Sequence, residues 1–478
     1  MNTPSTNHQL APCIMVLGTS SNAGKSLLTT ALCRYYARQG LKVAPFKAQN
    51  MSNNARVVQG PHQQEGEIGS AQYFQALAAK AQPHVSMNPL LLKPEKDTQS
   101  QVVLMGQVNQ ELSLMPWRNR SAHVWPVIAS ALDELRAHND LVIIEGAGSP
   151  AEINLHDSDI VNMKVALYCN ASCLLITDID RGGAFAHLYG TWALLPAQEQ
   201  VLFKGFVLNM FRGDASLLSP APEMLEEKTG IPTVATLPMW REHGLPEEDG
   251  VFDDRSRSRG AVQKTIAVIA WPRISNLDEF QPLKNIPGVL LRWARTPADV
   301  ADADIIILPG SKHTSSDLTW MRHQGLDISI SDHAAKGKTV LGICGGLQML
   351  GEALIDPYGI DGNAPGLGLL PLVTLFEREK IVKRSHAKFT PFSGSFDALA
   401  NLAVSGYEIH HGQTTQHLGM ATAGSVAQVI LKSQDGKPLG WTNQRGNVLG
   451  LYLHGLFEDA NALKALFGND APTLEGSF

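Results

Sequence analysis

The stretch Cys13-Ile-Met-Val-Leu-Gly-Thr-Ser-Ser-Asn-Ala-Gly-Lys-Ser26 decides the fold of the first half of this chain. An apolar run, Cys13 to Leu17, enters a turn that contains glycine, and residues 26–39 then carry apolar side chains at helical spacing. Strand, turn and helix in this order are typical of a phosphate loop, because the loop N–H groups and the helix dipole both favour an anion. Five residues separate Gly18 from Gly24, one more than usual, so the strand and the helix carry most of this prediction.

The loop predicts a site for ATP and Mg²⁺. Lys25 would reach the β- and γ-phosphates, the Ser26 hydroxyl would bind Mg²⁺, and Asn22 and Gly24 would line the nucleotide. A second apolar run, Leu141 to Ile144, ends in Glu145, where a metal-binding acid is expected in an open α/β sheet. The alternatives are an ordinary strand-to-helix turn and a capping carboxylate.

Short continuous apolar runs recur through the first half and predict parallel strands that are covered on both faces. These runs are Cys13–Leu17, Lys42–Phe46, Leu141–Ile144, Cys173–Thr177 and Phe206–Leu208. Polar clusters follow the last two, Thr177 to Gly183 and Asn209 to Asp214, and we expect both to line one cleft. The residues alone leave open whether nucleotide, metal or substrate contacts them; we assign Asn209 to the nucleotide and Asp178 to the substrate.

A length of 478 residues favours two domains, each α/β. The segment 247–264 is charged and lacks apolar periodicity, which is typical of a linker, although a long surface loop is the alternative. We therefore predict a P-loop-type parallel-sheet domain at 1–250, a linker at 251–264 and a second α/β domain at 265–478. The predicted strands of the second domain are Thr265–Ala270, Val289–Trp293, Ile305–Leu308, Val340–Ile343 and Val448–Leu453.

A thiol nucleophile is predicted in the second domain by Val-Leu-Gly-Ile-Cys344-Gly-Gly, a strand followed by a tight turn and a helix. Small residues on both sides allow the turn, and the helix N-terminus favours the anionic thiolate. Gly345 and Gly310, which ends another strand, would supply backbone N–H groups to an oxyanion. The alternative is a buried cysteine in a glycine-rich turn.

The thiol needs a base, and His454 is the first choice because it ends the apolar run Val448 to Leu453. Strand ends of a parallel sheet meet at one edge, which would bring His454 to Cys344. His410 and His411 are the other candidates.

Composition argues against several other classes of protein, although a local basic groove would be compatible with it. A net charge of −6 argues against a nucleic-acid partner, and no apolar run is long enough to predict a membrane span. Residues 1–12 carry no lysine or arginine, unlike a signal peptide, so we expect a cytoplasmic enzyme. Five irregularly spaced cysteines predict no disulfide framework, and we interpret Cys169 and Cys173 as buried strand thiols.

The motifs together resemble a known family. Gly-Ile-Cys344-Gly-Gly-Leu-Gln with the later His454 is similar to the class I glutamine amidotransferase domain, and the first half resembles the dethiobiotin synthetase-like ATPases. That fusion occurs in the cobyrinate amidase group. Further motifs of this group run through the chain from about residue 14 to about residue 459: KAQNMSNN at 47–54, GEIGSAQ at 66–72, MNPLLLKP at 87–94 and DIDRGG at 178–183.

The resemblance implies amidation of four peripheral carboxylates of adenosylcobyrinic acid a,c-diamide, with glutamine as the ammonia source and ATP as the activating agent. The amide-rich residues Gln49, Asn50, Ser52 and Asn53 would contact this corrin. The alternatives are the sister reaction that makes the a,c-diamide, and a regulatory or partitioning ATPase whose second domain only mediates interactions. The oligomeric state stays open.

One position departs from the amidotransferase pattern. Most class I glutaminases have a glutamate two residues after the histidine, but this chain has Leu456 there, and the nearest acid is Glu458. We therefore expect a Cys344–His454 dyad without an orienting carboxylate, and slow hydrolysis of glutamine alone.

Overall fold

The computed structural model describes residues 10–96, 99–240, 245 and 261–468. The chain divides into two compact units. The first comprises residues up to Ser52, Val58–Leu92 and Ser100–Leu245, and the second comprises Asn53–Val57, Lys93–Gln99 and the chain from Pro246 onward. Two short segments of the first half therefore belong to the second unit.

The first half alternates strands and helices, and its strand lengths are those of an α/β domain. Its strands are β1 Cys13–Gly18, β2 Val43–Phe46, β3 Gln49–Met51, β4 Ala55–Gln59, β5 Glu65–Gly69, β6 Leu90–Lys96, β7 Gln99–Leu104, β8 Gln107–Val108, β9 Leu141–Glu145, β10 Ser172–Asp178, β11 Phe203–Phe211 and β12 Thr233–Pro238. Its α-helices are α1 Lys25–Arg38, α2 Ser70–Ala78, α3 Gln110–Leu114, α4 Trp117–His138, α5 Met163–Cys169, α6 Ala184–Ala193, α7 Ala197–Gln200 and α8 Ala221–Thr229.

The core of the first unit is a six-stranded parallel sheet in the order β12-β11-β10-β1-β9-β2. The central strands are buried along nearly their whole length, as expected for a parallel sheet that helices cover on both faces. The register places Val16 beside Glu145 and Asp178 beside Asn209. The polar residues that end these strands therefore lie at one edge of the sheet.

The second half is also α/β and contains longer antiparallel strands. Its strands are β13 Lys264–Ile269, β14 Ile274–Ser275, β15 Val289–Ala294, β16 Ile305–Leu308, β17 Gly310–Ser311, β18 Thr339–Ile343, β19 Ala353–Ile355, β20 Ala364–Pro365, β21 Leu372–Phe389, β22 Ala403–Gln416, β23 Gln428–Ser433, β24 Pro438–Thr442 and β25 Val448–Leu451. Its α-helices are α9 Gln281–Lys284, α10 Pro297–Val300, α11 Thr314–His323, α12 Leu326–Ala335, α13 Gly345–Leu350, α14 Leu418–Thr422 and α15 Ala460–Phe467.

These strands form an eleven-stranded sheet whose first five members, β15-β13-β16-β18-β25, pair in parallel. The next pairs, β25 with β24 and β24 with β23, are antiparallel. Apolar side chains of the parallel part are almost completely buried and form one continuous core with α13. Because β18 and β25 are neighbours, the residues that follow them, Cys344 and His454, emerge at the same edge of the sheet.

The structure confirms every strand predicted from an apolar run, with bounds that differ by at most a few residues. One interpretation was wrong: Cys169 ends helix α5 and only Cys173 lies on a strand, although both thiols are buried. Most of the predicted linker, 251–260, lies outside the described residues. Within the described part of the chain, no helix is long and apolar enough to cross a membrane.

Candidate active sites

The phosphate loop of the first unit has the backbone that a close anion site requires. Gly24 precedes α1 in the left-handed region, with φ of 100°, and Asn22 also has a positive φ of 60°. Glycine adopts this conformation without the steric penalty that a Cβ atom brings. The Asn209 side chain donates to the Ala23 carbonyl at 3.0 Å and lies directly against Gly24, where a Cβ atom would collide with it.

Lys25 is folded over its own loop. Its ammonium group donates to the carbonyl of Ser20 at 3.0 Å and to that of Gly148 at 3.1 Å. These two carbonyls hold the lysine head at the mouth of the loop, where the phosphates of a nucleotide are expected. Gly148 belongs to the glycine turn that follows β9, so the two predicted parts of the nucleotide site meet at Lys25.

Glu145 is fully buried and lies at the centre of a polar cluster. Its Oε1 accepts from the Ser26 hydroxyl at 2.9 Å and from Lys47 Nζ at 3.0 Å, and its Oε2 accepts from the Gln75 side chain. The structure thus brings Ser26 and Glu145 together. Sequence reasoning missed Lys47 and Gln75 as members of this site, although both lie in or beside quoted motifs.

The donor set around Glu145 fits the magnesium ion that the nucleotide site implies. Mg²⁺ prefers oxygen ligands, takes one or two from the protein and completes its shell with water and phosphate oxygens. The Ser26 hydroxyl and the Glu145 carboxylate are such oxygens, and they already lie within hydrogen-bond distance of each other. Among the described residues no group of three or more acidic, histidine or cysteine side chains forms a metal cage.

The remaining predicted residues of the first unit lie on two elements. Gln49 and Asn50 are buried on β3, and Ser52 follows the strand. Asn50 donates to Gln72 Oε1 at 3.1 Å, whereas the buried atoms Gln49 Oε1 and Gln72 Nε2 have no hydrogen-bond partner within the part of the chain that the structure describes. Buried polar atoms without a partner are costly, and a bound polar ligand would satisfy them.

Two further predicted residues lie apart from this group. Asp178 ends β10, pairs with Arg181 at 3.0 Å and accepts from the backbone of Asp180. Asn53 is grouped with the second unit, and its buried Oδ1 has no hydrogen-bond partner among the residues that the structure describes.

In the second unit, Cys344 stands on a strained turn between β18 and α13. Its backbone has φ of 50° and ψ of −104°, a conformation that is rare for a residue with a side chain. The neighbouring glycines make the turn possible, because a Cβ on Gly346 would collide with the Leu308 carbonyl and one on Gly342 would lie 2.6 Å from the Gly346 carbonyl carbon. The thiol is buried, 3.6 Å from the Ile409 carbonyl oxygen.

His454 is the histidine that the structure brings to this thiol. Burial alone would lower the pKa of His454, but the Glu279 carboxylate and the hydrogen-bonded Cys344 thiol raise it to about 10. The imidazole is therefore protonated at neutral pH. The other two candidates are engaged elsewhere: His410 contacts the Gly412 carbonyl and Glu408, and His411 contacts the Glu377 carbonyl.

The expectation that His454 lacks an orienting carboxylate was wrong. Glu279 Oε1 lies 3.0 Å from His454 Nδ1, and Glu279 Oε2 accepts from the Gly455 backbone at 3.1 Å. The carboxylate therefore fixes both the ring and the backbone beside it. The expectation of slow hydrolysis of glutamine alone rested on the absence of such a carboxylate and has lost its basis. Glu279 precedes the histidine by 175 residues. It nevertheless lies shortly after β13, the first strand of the second half, and that position is a signal that the sequence offers.

Of the two glycines predicted to bind an oxyanion, Gly345 directly follows Cys344 in the chain and Gly310 lies against His454. Gly345 begins α13 and packs against Ser311, because a Cβ there would lie 2.7 Å from the Ser311 backbone nitrogen. A Cβ on Gly310 would lie 3.1 Å from His454 Cε1. The Trp271 indole donates to the Gly310 carbonyl at 3.2 Å, which fixes the orientation of this peptide.

Comparisons with known proteins agree with both halves. Residues 14–247 match the model of a CobQ/CobB/MinD/ParA nucleotide binding domain, and residues 265–462 match that of a CobB/CobQ-like glutamine amidotransferase domain. The chain is 71% identical to a cobyric acid synthase of Variovorax paradoxus, over 98% of this chain and 95% of the relative. It is 70% identical to one of Polaromonas naphthalenivorans and 60% identical to one of Leptothrix cholodnii, over 98% of this chain and 95% and 93% of those relatives. The chain therefore belongs to the cobyric acid synthase family.

Proposed function

We propose that this protein uses glutamine and ATP to amidate four peripheral carboxylates of adenosylcobyrinic acid a,c-diamide, giving adenosylcobyric acid. The observation that carries the proposal is the presence in one chain of a thiol–histidine–carboxylate centre and a phosphate loop that faces a buried acid. A protein that only hydrolyses glutamine would not need the phosphate loop. A regulatory ATPase would not need the thiol–histidine–carboxylate centre.

In the second unit, the thiol proton of Cys344 passes to His454, and the sulfur attacks the carboxamide carbon of glutamine while the Gly310 and Gly345 N–H groups stabilise the oxyanion. The His454 imidazolium gives its proton to the departing nitrogen as the C–N bond breaks, so ammonia leaves and a thioester remains. The neutral imidazole then takes a proton from water, and glutamate is released. Glu279 holds the ring in orientation through both proton transfers.

In the first unit, a corrin carboxylate attacks the γ-phosphate of ATP, giving an acyl phosphate and ADP, and ammonia then displaces phosphate. Lys25 neutralises charge on the phosphoryl group, while Asn22, Gly24 and Asn209 line the nucleotide. When bound at Ser26 and Glu145, Mg²⁺ would supply further positive charge to the phosphates.

We assign the corrin to the amide-rich residues Gln49, Asn50 and Ser52, with Asp178 at the next strand end. The buried, unpartnered atoms Gln49 Oε1 and Gln72 Nε2 support this assignment, because carboxylates and amides are the groups that would complete their hydrogen bonds. Asn53 stays a predicted contact. An Asn50→Ala variant should raise the KM for the corrin and leave glutamine hydrolysis unchanged, and an unchanged KM would contradict the assignment.

The proposal is tested by incubating the protein with Mg·ATP, glutamine labelled with ¹⁵N in its amide, and adenosylcobyrinic acid a,c-diamide. High-resolution mass spectrometry should detect four successive conversions of carboxyl to amide, each carrying one ¹⁵N. The Cys344→Ala variant should lose all four with glutamine and recover them with ammonium chloride. Conversion of cobyrinic acid instead would favour the sister reaction, and ATP hydrolysis that ignores both glutamine and corrin would favour a regulatory ATPase.

A further inference from the structure

Arg56 is a buried arginine that the mechanism above does not use. It lies on β4, within the short segment Asn53–Val57 that belongs to the second unit, and only 2% of its surface is exposed. Its guanidinium donates to Asp278 Oδ2 at 2.9 Å through Nε and to Glu458 Oε2 at 2.6 Å through Nη1. Burial alone would lower the pKa of Arg56, but these two carboxylates raise it well above its ordinary value.

The turn that bears Asp278 is held by three consecutive residues of this segment. The Leu277 N–H donates to Asn54 Oδ1 at 3.0 Å, and the Asn276 side chain donates to the Ala55 carbonyl at 3.2 Å. Arg56 then binds Asp278. Among the described residues no other group donates a hydrogen bond to the Asp278 carboxylate, and its Oδ1 is buried without a partner.

The next residue of the same turn is Glu279, which orients His454. Residues 276–279 enter a single 3-10 turn, and Asn276 has a positive φ of 55°, so the direction of the Glu279 side chain depends on how this turn is fixed. Arg56 anchors Asp278, and the next residue, Glu279, contacts His454. A backbone shift at Asp278 would therefore also move the Glu279 carboxylate.

A second route leads from Arg56 to the same histidine. The guanidinium lies 5.3 Å from the centre of the Tyr407 ring, and that ring is stacked on His454 with the two ring centres 5.3 Å apart. The backbones of Tyr407 and His454 also exchange two hydrogen bonds, and the Tyr407 hydroxyl accepts from Asn276 at 2.8 Å. Arg56 therefore contacts both the turn that holds His454 through Glu279 and the ring that covers it.

We propose that Arg56 is a positioning residue for glutamine hydrolysis, which acts on His454 through the Asp278–Glu279 turn and through Tyr407. In this role it acts through these neighbours of His454 rather than on the reacting atoms. The inference rests on the proposed role of His454. In this role, Arg56 is a residue of the first half of the sequence that the glutaminase centre needs.

The test compares Arg56→Ala, Arg56→Lys and Arg292→Ala in the full chain. Arg292 is the matched control, because it also pairs with a carboxylate of the second unit: its guanidinium binds Asp302 and the Asp299 carbonyl. Glutamine hydrolysis is measured without corrin as kcat and KM across pH 6 to 10, with a melting curve for each variant. Amidation of the corrin with ammonium chloride is measured separately.

Arg56→Ala should lower kcat for glutamine hydrolysis by about 10- to 100-fold with little change in KM, because orientation rather than substrate binding is lost. Its pH profile should differ from that of the parent, because removal of the guanidinium changes the electrostatic surroundings of Glu279 and His454. Arg56→Lys should restore part of kcat, since it keeps the charge and loses the paired geometry. Arg292→Ala should match the parent, and ammonia-dependent amidation should be unchanged in every variant.

Two results would overturn the proposal. One is an Arg56→Ala variant with the kcat and pH profile of the parent. The other is equal loss of both activities in the alanine and lysine variants together with a lowered melting transition, which would assign Arg56 to stability alone. Failure of the proposed corrin reaction would appear in the parent protein as no ammonia-dependent amidation, whereas the glutaminase comparison needs no corrin.

Discussion

At the scale of single residues, the charge of Glu279 is the strongest influence that raises the pKa of His454. Because Glu279 helps to raise the pKa of His454 to about 10, the imidazolium form persists through neutral pH. A raised histidine pKa stabilises the folded state fully below the ordinary value of 6.5, and this contribution is lost as the pH rises through about 10. Folding and catalysis therefore both lose a stabilising contact in alkaline solution.

We predict that Glu279→Gln lowers kcat for glutamine hydrolysis on the order of 100-fold, since the ring loses its orienting anion. Removing the negative charge should also lower the pKa of His454, so the alkaline limb of the kcat profile moves to lower pH. A pH series of initial rates from 6 to 10.5 measures both effects. Asp302→Asn, which removes a surface carboxylate of the same unit, is the control, and an unshifted limb in the Glu279 variant would contradict the prediction.

At the scale of an element, the phosphate loop depends on one glycine for two separate reasons. Gly24 has a positive φ of 100°, and its Cα faces the Asn209 side chain so closely that a Cβ atom would collide with the amide nitrogen. Gly40, just beyond the end of α1, has a similar φ of 89°, but no heavy atom of the described residues lies within 4 Å of the place that its Cβ would take. Substitutions at Gly24 and Gly40 can therefore distinguish the effect of backbone strain from that of the collision with Asn209.

We predict that Gly24→Ala abolishes corrin-dependent ATP turnover, because Asn209 must move out of the loop to admit the methyl group. Gly40→Ala should keep that activity and lose only about 1–2 kcal/mol of stability from the left-handed backbone. Glutamine hydrolysis should persist in both variants, which shows that each protein is folded. ATP turnover in Gly24→Ala equal to that in Gly40→Ala would mean that the contact with Asn209 does not shape the site.

At the scale of the whole molecule, local patterns predicted the parallel strands, the two turns and the pairing of Cys344 with His454. Continuous apolar runs and glycine turns act over a few residues, so sequence reasoning can use them directly. Glu279 and Gln75 were missed because no local pattern links them to partners that lie 175 and 70 residues away, whereas Lys47 directly follows β2 and could have been found from that position. The rule that strand ends meet brings together residues that directly follow strands, but it says nothing about a turn held by a distant arginine.

The grouping of Asn53–Val57 and Lys93–Gln99 with the second unit leads to the last prediction. A fragment that begins at residue 261 lacks both segments, so Asp278 loses Arg56 and Lys312 loses its 2.7 Å ion pair with Glu95. A buried carboxylate without its partner costs about 3–5 kcal/mol. We therefore expect the fragment 261–478 to melt at lower temperature than the second unit of the full chain and to hydrolyse glutamine at least about 10-fold more slowly. Co-expression with residues 1–245, which supply both segments, should recover the rate, whereas co-expression with the same piece carrying Arg56→Ala should not. A fragment as active as the full chain would mean that the glutaminase centre is complete without the first half of the sequence.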